Sequence, residues 1–327
     1  MKALVYTGVE TLTYQDVEKP AAGAGQTLVK IMASGICGSD MHAYLGHDDR
    51  RPAPLTLGHE AAGITADGRR VTINPLVNCG TCDACKRGQT NICRAREIIS
   101  MPPRQGAFAE YVAMPDANLV EVPDDTPLEH AALAEPIACG WHAVRLTMET
   151  EDTTDVSAVV IGGGAIGVGT ALCLKAFGVR DVAIVEPNQM RRDHLASLNG
   201  ITVHGLDDAP AKDAHQIVVD AVGFAATRAA ACEYVRPGGT IAHIGLGEAE
   251  GGLDIRRMTL QEIRFLPTYT YTAADFRDTA AAIFDGRLGN FEWTQSRSLS
   301  EGWQAFKDIR AGIVPAAKII LTPAHEE

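Results

Sequence analysis

Four cysteines, Cys79, Cys82, Cys85 and Cys93 in NCGTCDACKRGQTNIC, constrain this chain more than any other feature. Their spacing, C-x2-C-x2-C-x7-C, lets a short glycine-containing loop wrap around one point, and four thiolates can close a tetrahedron around Zn²⁺. With sulfur in all four positions no place is left for a substrate, so the expected role is structural. The chain holds eight cysteines and the other four are scattered singly. The N-terminal MKALVYTGVETLTYQDV has no signal-like apolar core, so a cytoplasmic protein with a metal, not disulfides, is the expectation. A DNA-binding finger would need a basic recognition helix, and none follows. A redox C-x-x-C would need a strand-to-helix setting that neither Cys79–Cys82 nor Cys82–Cys85 has.

The length of 327 residues suggests about two domains. Hydrophobic residues make up 46% and charged residues 21%, the balance of a soluble globular protein. The formal net charge of −12 is spread along the chain, which disfavours nucleic acid and anionic membranes and favours small-molecule partners. The apolar run Ala158 to Leu174 carries five glycines and leads straight into charged residues, so it is not read as a membrane span.

Two patterns divide the chain. Residues 1–137 hold short β segments (KALVY, TLVKIMA, EAAGIT, RRVTINPLV, AFAEYVAM) joined by long loops that carry nearly all the Cys and His discussed here. Residues 138–271 alternate apolar strands (VSAVVIG, DVAIVE, ITVHG, HQIVVDAVG, GTIAHIGLG, EIRFLPTY) with helix-like stretches (AIGVGTALCLKAFG, NQMRRDHLASLNG, Ala226 to Val235). Such alternation implies a doubly wound parallel sheet. The remainder, 272–327, has a helix pattern from Ala273 to Phe284 and a closing strand, AAKIILTP. The expected fold class is α/β, a mostly β domain beside a parallel-sheet domain.

A second ligand group precedes the cysteine run. SGICGSDMHAY and TLGHEAAG supply Cys37, Ser39, Asp40, His42, His59 and Glu60, and LAEPIACGWHAV supplies Glu135. A catalytic zinc takes about three mixed ligands and keeps one position open. Cys37 and His59 with a carboxylate, Glu60 or Glu135, meet that requirement. Further on, VVIGGGAIG sets Gly162, Gly164 and Gly167, with Ala165 and Ile166 between them, as G-x-G-x-x-G between a strand and a helix. This is the turn that takes a dinucleotide pyrophosphate. About twenty residues on, Glu186 ends a strand, where an acid accepts the adenosine ribose hydroxyls and repels a 2′-phosphate. NAD is therefore favoured, although Arg191 and Arg192 nearby partly offset the repulsion. The strand ends at Ala221, Val222, Gly245 and Leu246 should border the same cofactor.

CGSDMH, GHE, the cysteine run, the Glu-Pro pair and the glycine-rich turn, in this order over essentially the whole chain, resemble the zinc-containing medium-chain dehydrogenase/reductase family, especially its sorbitol dehydrogenase-like, polyol-oxidising branch. The resemblance implies a GroES-like β domain, completed by the C-terminus, on a Rossmann domain with the active site between them. It implies one structural and one catalytic zinc, and a homo-oligomer, dimer or tetramer. By that similarity Cys37 and His59 are zinc ligands, Glu60 coordinates while Glu135 acts directly or through water, and Asp40 orients His59. Ser39 and His42 match a proton relay. Tyr44, Arg104 and Tyr269 fall at substrate-pocket positions. The implied reaction is hydride transfer between a polyol or secondary alcohol and NAD; the alternatives are an amino alcohol, an acidic or phosphorylated sugar derivative, or a non-catalytic cofactor-binding protein. The stretch ITADG after Gly63 is shorter than the family's usual hairpin.

Overall fold

The computed structural model describes residues 1–151, 156–198 and 200–325. Asn199, inside the expected helix NQMRRDHLASLNG, and the last two residues of the C-terminal segment lie outside the described residues.

The apolar strands of the second half form one six-stranded sheet in which every neighbouring pair is parallel. Its order is Thr202–His204, Asp181–Val185, Ser157–Ile161, His215–Asp220, Val235–His243, Arg264–Pro267. Strand Ser157–Ile161 sits centrally, which explains its continuous apolar run: Val159 and Val160 are fully buried, packed into separate clusters on opposite faces. The helix expected over Ala226–Val235 spans Ala225–Tyr234, and Val235 passes directly into the next strand.

The first half and the C-terminus together build a seven-stranded mixed sheet. Its centre is the ten-residue strand Gln26–Gly35, which pairs antiparallel with Glu60–Thr65, Tyr111–Pro115 and Lys318–Thr322. The closing strand is thus inserted beside the strand that leads to Cys37. The short ITADG connection is a tight hairpin in which Gly68 N–H donates to Thr65 O, so the shortening leaves the flanking strands paired. RRVTINPLV is split into Arg70–Ile73 and Leu76–Val77.

Two elements differ from the sequence reading. SGICGSDMHAY, taken as loop, contains helix Gly38–Tyr44; the Asp40 carboxylate folds back to accept Cys37 N–H (3.0 Å) and stabilises its first turn. The boundary drawn between 137 and 138 falls inside a 15-residue helix, Ala134–Met148. Only three-dimensional packing shows why: this helix lies against helices Ala165–Ala176 and Ala273–Phe284 and belongs to the core shared by both halves. A Cβ on Gly140 would come 2.7 Å from Thr170 Cα, so glycine permits that close helix contact. At the other contact, Asp275 accepts from His142 Nδ1 (2.7 Å) and Arg145 Nε (2.6 Å). No helix among the described residues is long and apolar enough to cross a membrane.

Candidate active site and cofactor cleft

The four-cysteine run folds as a compact lobe around the short helix Asp83–Lys86. The Sγ atoms of Cys79, Cys82, Cys85 and Cys93 all lie within 4.8 Å of one another. Cys79 Sγ is 3.5 Å from that of Cys93 and 4.0 Å from that of Cys85, bracketing the ~3.8 Å edge of a tetrahedron with ~2.3 Å Zn–S bonds. Backbone N–H groups of Thr81 and Cys82 hold the Cys79 thiol down to about 6, whereas burial and the neighbouring thiols push Cys85 up to about 12. Such mutual opposition is what a cation in the middle relieves.

The second cluster joins two separate stretches. Cys37 caps helix Gly38–Tyr44, His59 and Glu60 open strand Glu60–Thr65, and the ligand atoms of these three residues lie within 4.8 Å of one another. His59 Nδ1 faces Asp40 Oδ1 (3.5 Å) and Ser100 Oγ (3.3 Å), so Nε2 is the ring nitrogen left for a metal. Burial opposes a charged His59, but Asp40 and Cys37 outweigh it and raise its pKa well above the ordinary value. Glu60 is fully buried; its Oε1 accepts from Lys318 Nζ (2.6 Å), and its Oε2 has no hydrogen-bond partner. A half-buried thiol with a buried imidazole and a half-satisfied buried carboxylate together fit a divalent cation with one position left over.

Glu135 lies outside that set of three. It sits in the first turn of helix Ala134–Met148, where Tyr271 Oη donates to its Oε1 (2.7 Å). Burial, with the Glu60 charge, pushes its pKa up to about 7 against the lowering effect of His59, Tyr271 and Lys318. Ser39 is half-buried and His42 exposed, one helical turn apart on Gly38–Tyr44.

At the dinucleotide turn, Gly162 takes φ +102°, and a Cβ on Gly167 would fall 1.8 Å from Gly162 O, so both positions require glycine. Gly164 caps helix Ala165–Ala176, which places Ala165, Ile166 and Gly167 in its first turn. Glu186 is buried at the neighbouring strand end; it accepts from Gly163 N (2.9 Å) and Asn188 N (2.8 Å), with Arg191 at 3.8 Å. Ala221 N–H donates to Ile161 O, Val222 packs against Gly162 and against Gly245, and Leu246 beyond them is exposed. The expected cofactor positions therefore converge at the C-terminal ends of the four inner strands of the parallel sheet.

The substrate candidates separate. Tyr44 is 2% exposed and packs on Phe306, with ring centres 5.3 Å apart, in the core of the β half. Arg104 donates from Nε to Glu97 (2.6 Å) and lines a groove whose walls include none of Cys37, His59, Glu60 or Glu135. Tyr269, in contrast, lies two residues before Tyr271 and against Arg96. Residues missed by the sequence reading are Lys318, Tyr271, Ser100 and Gly35, where a Cβ would strike Glu60 Oε2 at 2.0 Å. Lys318, Tyr271 and Ser100 carry no motif and reach the site through distant strands or loops, whereas Gly35 lies inside SGICGSDMHAY, two residues before Cys37.

Family models agree with this architecture. Residues 23–124 match the alcohol dehydrogenase GroES-like domain and residues 165–285 the zinc-binding dehydrogenase domain. The chain belongs to the zinc-binding alcohol dehydrogenase family. It is accordingly an oxidoreductase working with zinc and a nicotinamide cofactor. Among curated relatives, it is 29% identical to L-idonate 5-dehydrogenase of Vitis vinifera over 81% of this chain and 78% of that protein. It is 26% identical to probable D-xylulose reductase A of Neosartorya fischeri over 95% and 94%. A putative zinc-binding dehydrogenase of Sinorhizobium meliloti 1021, solved bound to NADP, superposes with TM-score 0.86 at 26% identity, covering 98% and 99%.

Proposed function

We propose that this protein oxidises a polyol or related secondary alcohol to the ketone with NAD, reversibly, and that Cys37, His59 and Glu60 hold its catalytic zinc. The observation that carries the reading is the Cys37–His59–Glu60 cluster, in which the buried Glu60 Oε2 is left without a hydrogen-bond partner beside a half-buried thiol and a buried imidazole. A zinc ion there supplies the Lewis acidity that acidifies a substrate hydroxyl, and a nicotinamide takes up the hydride. Asp40 and Ser100 orient the His59 ring, and Lys318 balances the buried Glu60 charge. Glu135, held by Tyr271, is the carboxyl that orients the substrate or a water beside the three ligands. Ser39 receives the hydroxyl proton and His42 delivers it to solvent, being neighbours at i and i+3. Cys79, Cys82, Cys85 and Cys93 hold a second, structural zinc.

Glu186 favours NAD because a 2′-phosphate would add charge beside a buried carboxylate already held by two backbone N–H groups. The names of the relatives, a sugar-acid dehydrogenase and a ketose reductase, support a polyhydroxy substrate.

The test is reduced-nicotinamide absorbance with a panel of polyols, sugar acids and secondary alcohols, using NAD and NADP in parallel, with metal analysis before and after chelation. About two zinc ions per subunit are expected, one ligand set being closed and one open; turnover should vanish when the more labile ion is removed and return on its addition. Glu186→Ala should narrow the preference for NAD over NADP. Full turnover in metal-free protein would overturn the reading.

A further inference from the structure

The segment 268–272 joins strand Arg264–Pro267 to helix Ala273–Phe284 and brings the cysteine lobe to the candidate active site. Tyr271 reaches inward to Glu135, while Tyr269 turns to Arg96, three residues past the last lobe cysteine. The segment is pinned on the lobe side: Asn91 Nδ2 donates to Tyr269 O (2.9 Å), and Thr90 Oγ1 accepts from Ala273 N (2.8 Å). Between the two tyrosines Thr270 is held at φ +46°, a strained conformation for a β-branched residue, and its Oγ1 is buried without a partner.

Arg96 has more donors than the protein uses. Nη1 donates to Cys93 O (3.0 Å), Nη2 donates to Tyr269 Oη (3.1 Å), and the guanidinium lies 4.8 Å from the Tyr269 ring centre. Its Nε is buried with no partner. The adjacent Glu97 is committed to Arg104, and among the described residues no carboxylate pairs with Arg96. A guanidinium carries five N–H donors in a rigid fork suited to carboxylate or phosphate oxygens. Tyr269 Oη, already accepting from Arg96, keeps its own proton to donate. Arg50, tied to Asp48, adds a positive charge within electrostatic reach of the same phenol. In a chain of net charge −12, the overall field repels anions, so any preference for one has to be made locally.

We propose that Arg96 and Tyr269 bind the terminal anion of the substrate, a carboxylate or phosphate on a polyhydroxy chain whose reacting hydroxyl lies at the Cys37–His59–Glu60 cluster. This rests on the reading of that cluster as the alcohol-oxidising centre. The preferred substrate is then a sugar acid or sugar-alcohol phosphate, not a neutral polyol. Arg96 acts on specificity and takes no part in the hydride step.

The experiment compares kcat/KM for gluconate, galactonate, idonate and sorbitol 6-phosphate with that for sorbitol and galactitol, in wild type, Arg96→Gln, Tyr269→Phe and Arg94→Gln. The best anionic substrate should exceed the best neutral one by about tenfold or more in wild type, through charge-assisted hydrogen bonds. Arg96→Gln should collapse that ratio, and Tyr269→Phe, which keeps the ring, should reduce it about threefold. Arg94→Gln, at an exposed position, should leave it alone. Zinc content is measured in each variant, because Arg96 also holds Cys93 O. Carboxylate or phosphate preference identifies the anion. A wild-type preference for neutral polyols, or a ratio unmoved by Arg96→Gln at full zinc content, overturns the proposal. If no alcohol of either charge is turned over, the reading of the catalytic cluster has failed, and calorimetric titration of gluconate and sorbitol decides this subsite alone: gluconate binding that Arg96→Gln abolishes supports it, and absent or unchanged binding overturns it.

Discussion

The cysteine lobe and the Cys37–His59–Glu60 cluster are both metal-type sites, yet they are built in opposite ways. The lobe draws all its sulfurs from positions 79–93, so one short loop closes it. The other cluster takes Cys37 from a helix cap and His59 and Glu60 from a strand start, and it is surrounded by groups from still farther away: Glu135, Tyr271 and Lys318. A closed site needs only ligands, whereas an open one must also hold a thiol, an imidazole and a carboxylate in place around an unfilled position. The supporting shell supplies that hold, and it is the part that a sequence motif does not record. The two sites are also mechanically joined, since Thr90, Asn91 and Arg96 at the end of the lobe grip the segment that carries Tyr269 and Tyr271.

Loss of one lobe ligand is the strongest test of the contrast. Cys82→Ser should lower stability by on the order of 5 kcal/mol or more, given the ~10–16 kcal/mol apparent binding energy of structural zinc, seen as a large fall in Tm with loss of one zinc. Cys37→Ser should do the reverse, cutting kcat/KM on the order of 10³-fold while Tm changes little. An exchange of these two outcomes would show that the roles of the sites are reversed.

Lys318→Met should cost about 3 kcal/mol in urea unfolding of the zinc-free protein, because it leaves the Glu60 carboxylate buried without its partner. The loss should shrink when zinc is bound; an equal loss in both states would separate Glu60 from the metal. Tyr271→Phe frees Glu135 Oε1 and should reduce kcat/KM about tenfold with ~1 kcal/mol of stability. An unchanged kcat/KM would make the Tyr271 contact purely structural.

Local chemistry is what the chain displays openly. The parallel-sheet alternation, the glycine turn at Gly162 and Gly167, the cysteine spacing and the Cys37, His59 and Glu60 motifs all depend on neighbours within a few residues, so they are legible from residue order alone. Helix Gly38–Tyr44 escaped that reading because its start is stabilised by the side chain of Asp40 and not by an apolar period. Helix Ala134–Met148 escaped because its polar residues His142 and Arg145 are satisfied by Asp275, 133 and 130 positions away in sequence. The ring contact of Tyr44 with Phe306, from a helix more than 260 positions away, was likewise not legible in residue order.

The sequence by itself pointed to the family, to two groups of candidate metal ligands and to the dinucleotide turn. Only the tertiary structure decided which carboxylate joins Cys37 and His59. Strand Lys318–Thr322 pairs beside Gln26–Gly35 and brings Lys318 to Glu60, and Gly35 leaves room for the other Glu60 oxygen. Tyr271 meanwhile takes up one oxygen of Glu135. Burial makes every such polar partner costly to omit, and partners that distant in the chain meet only when the fold is complete.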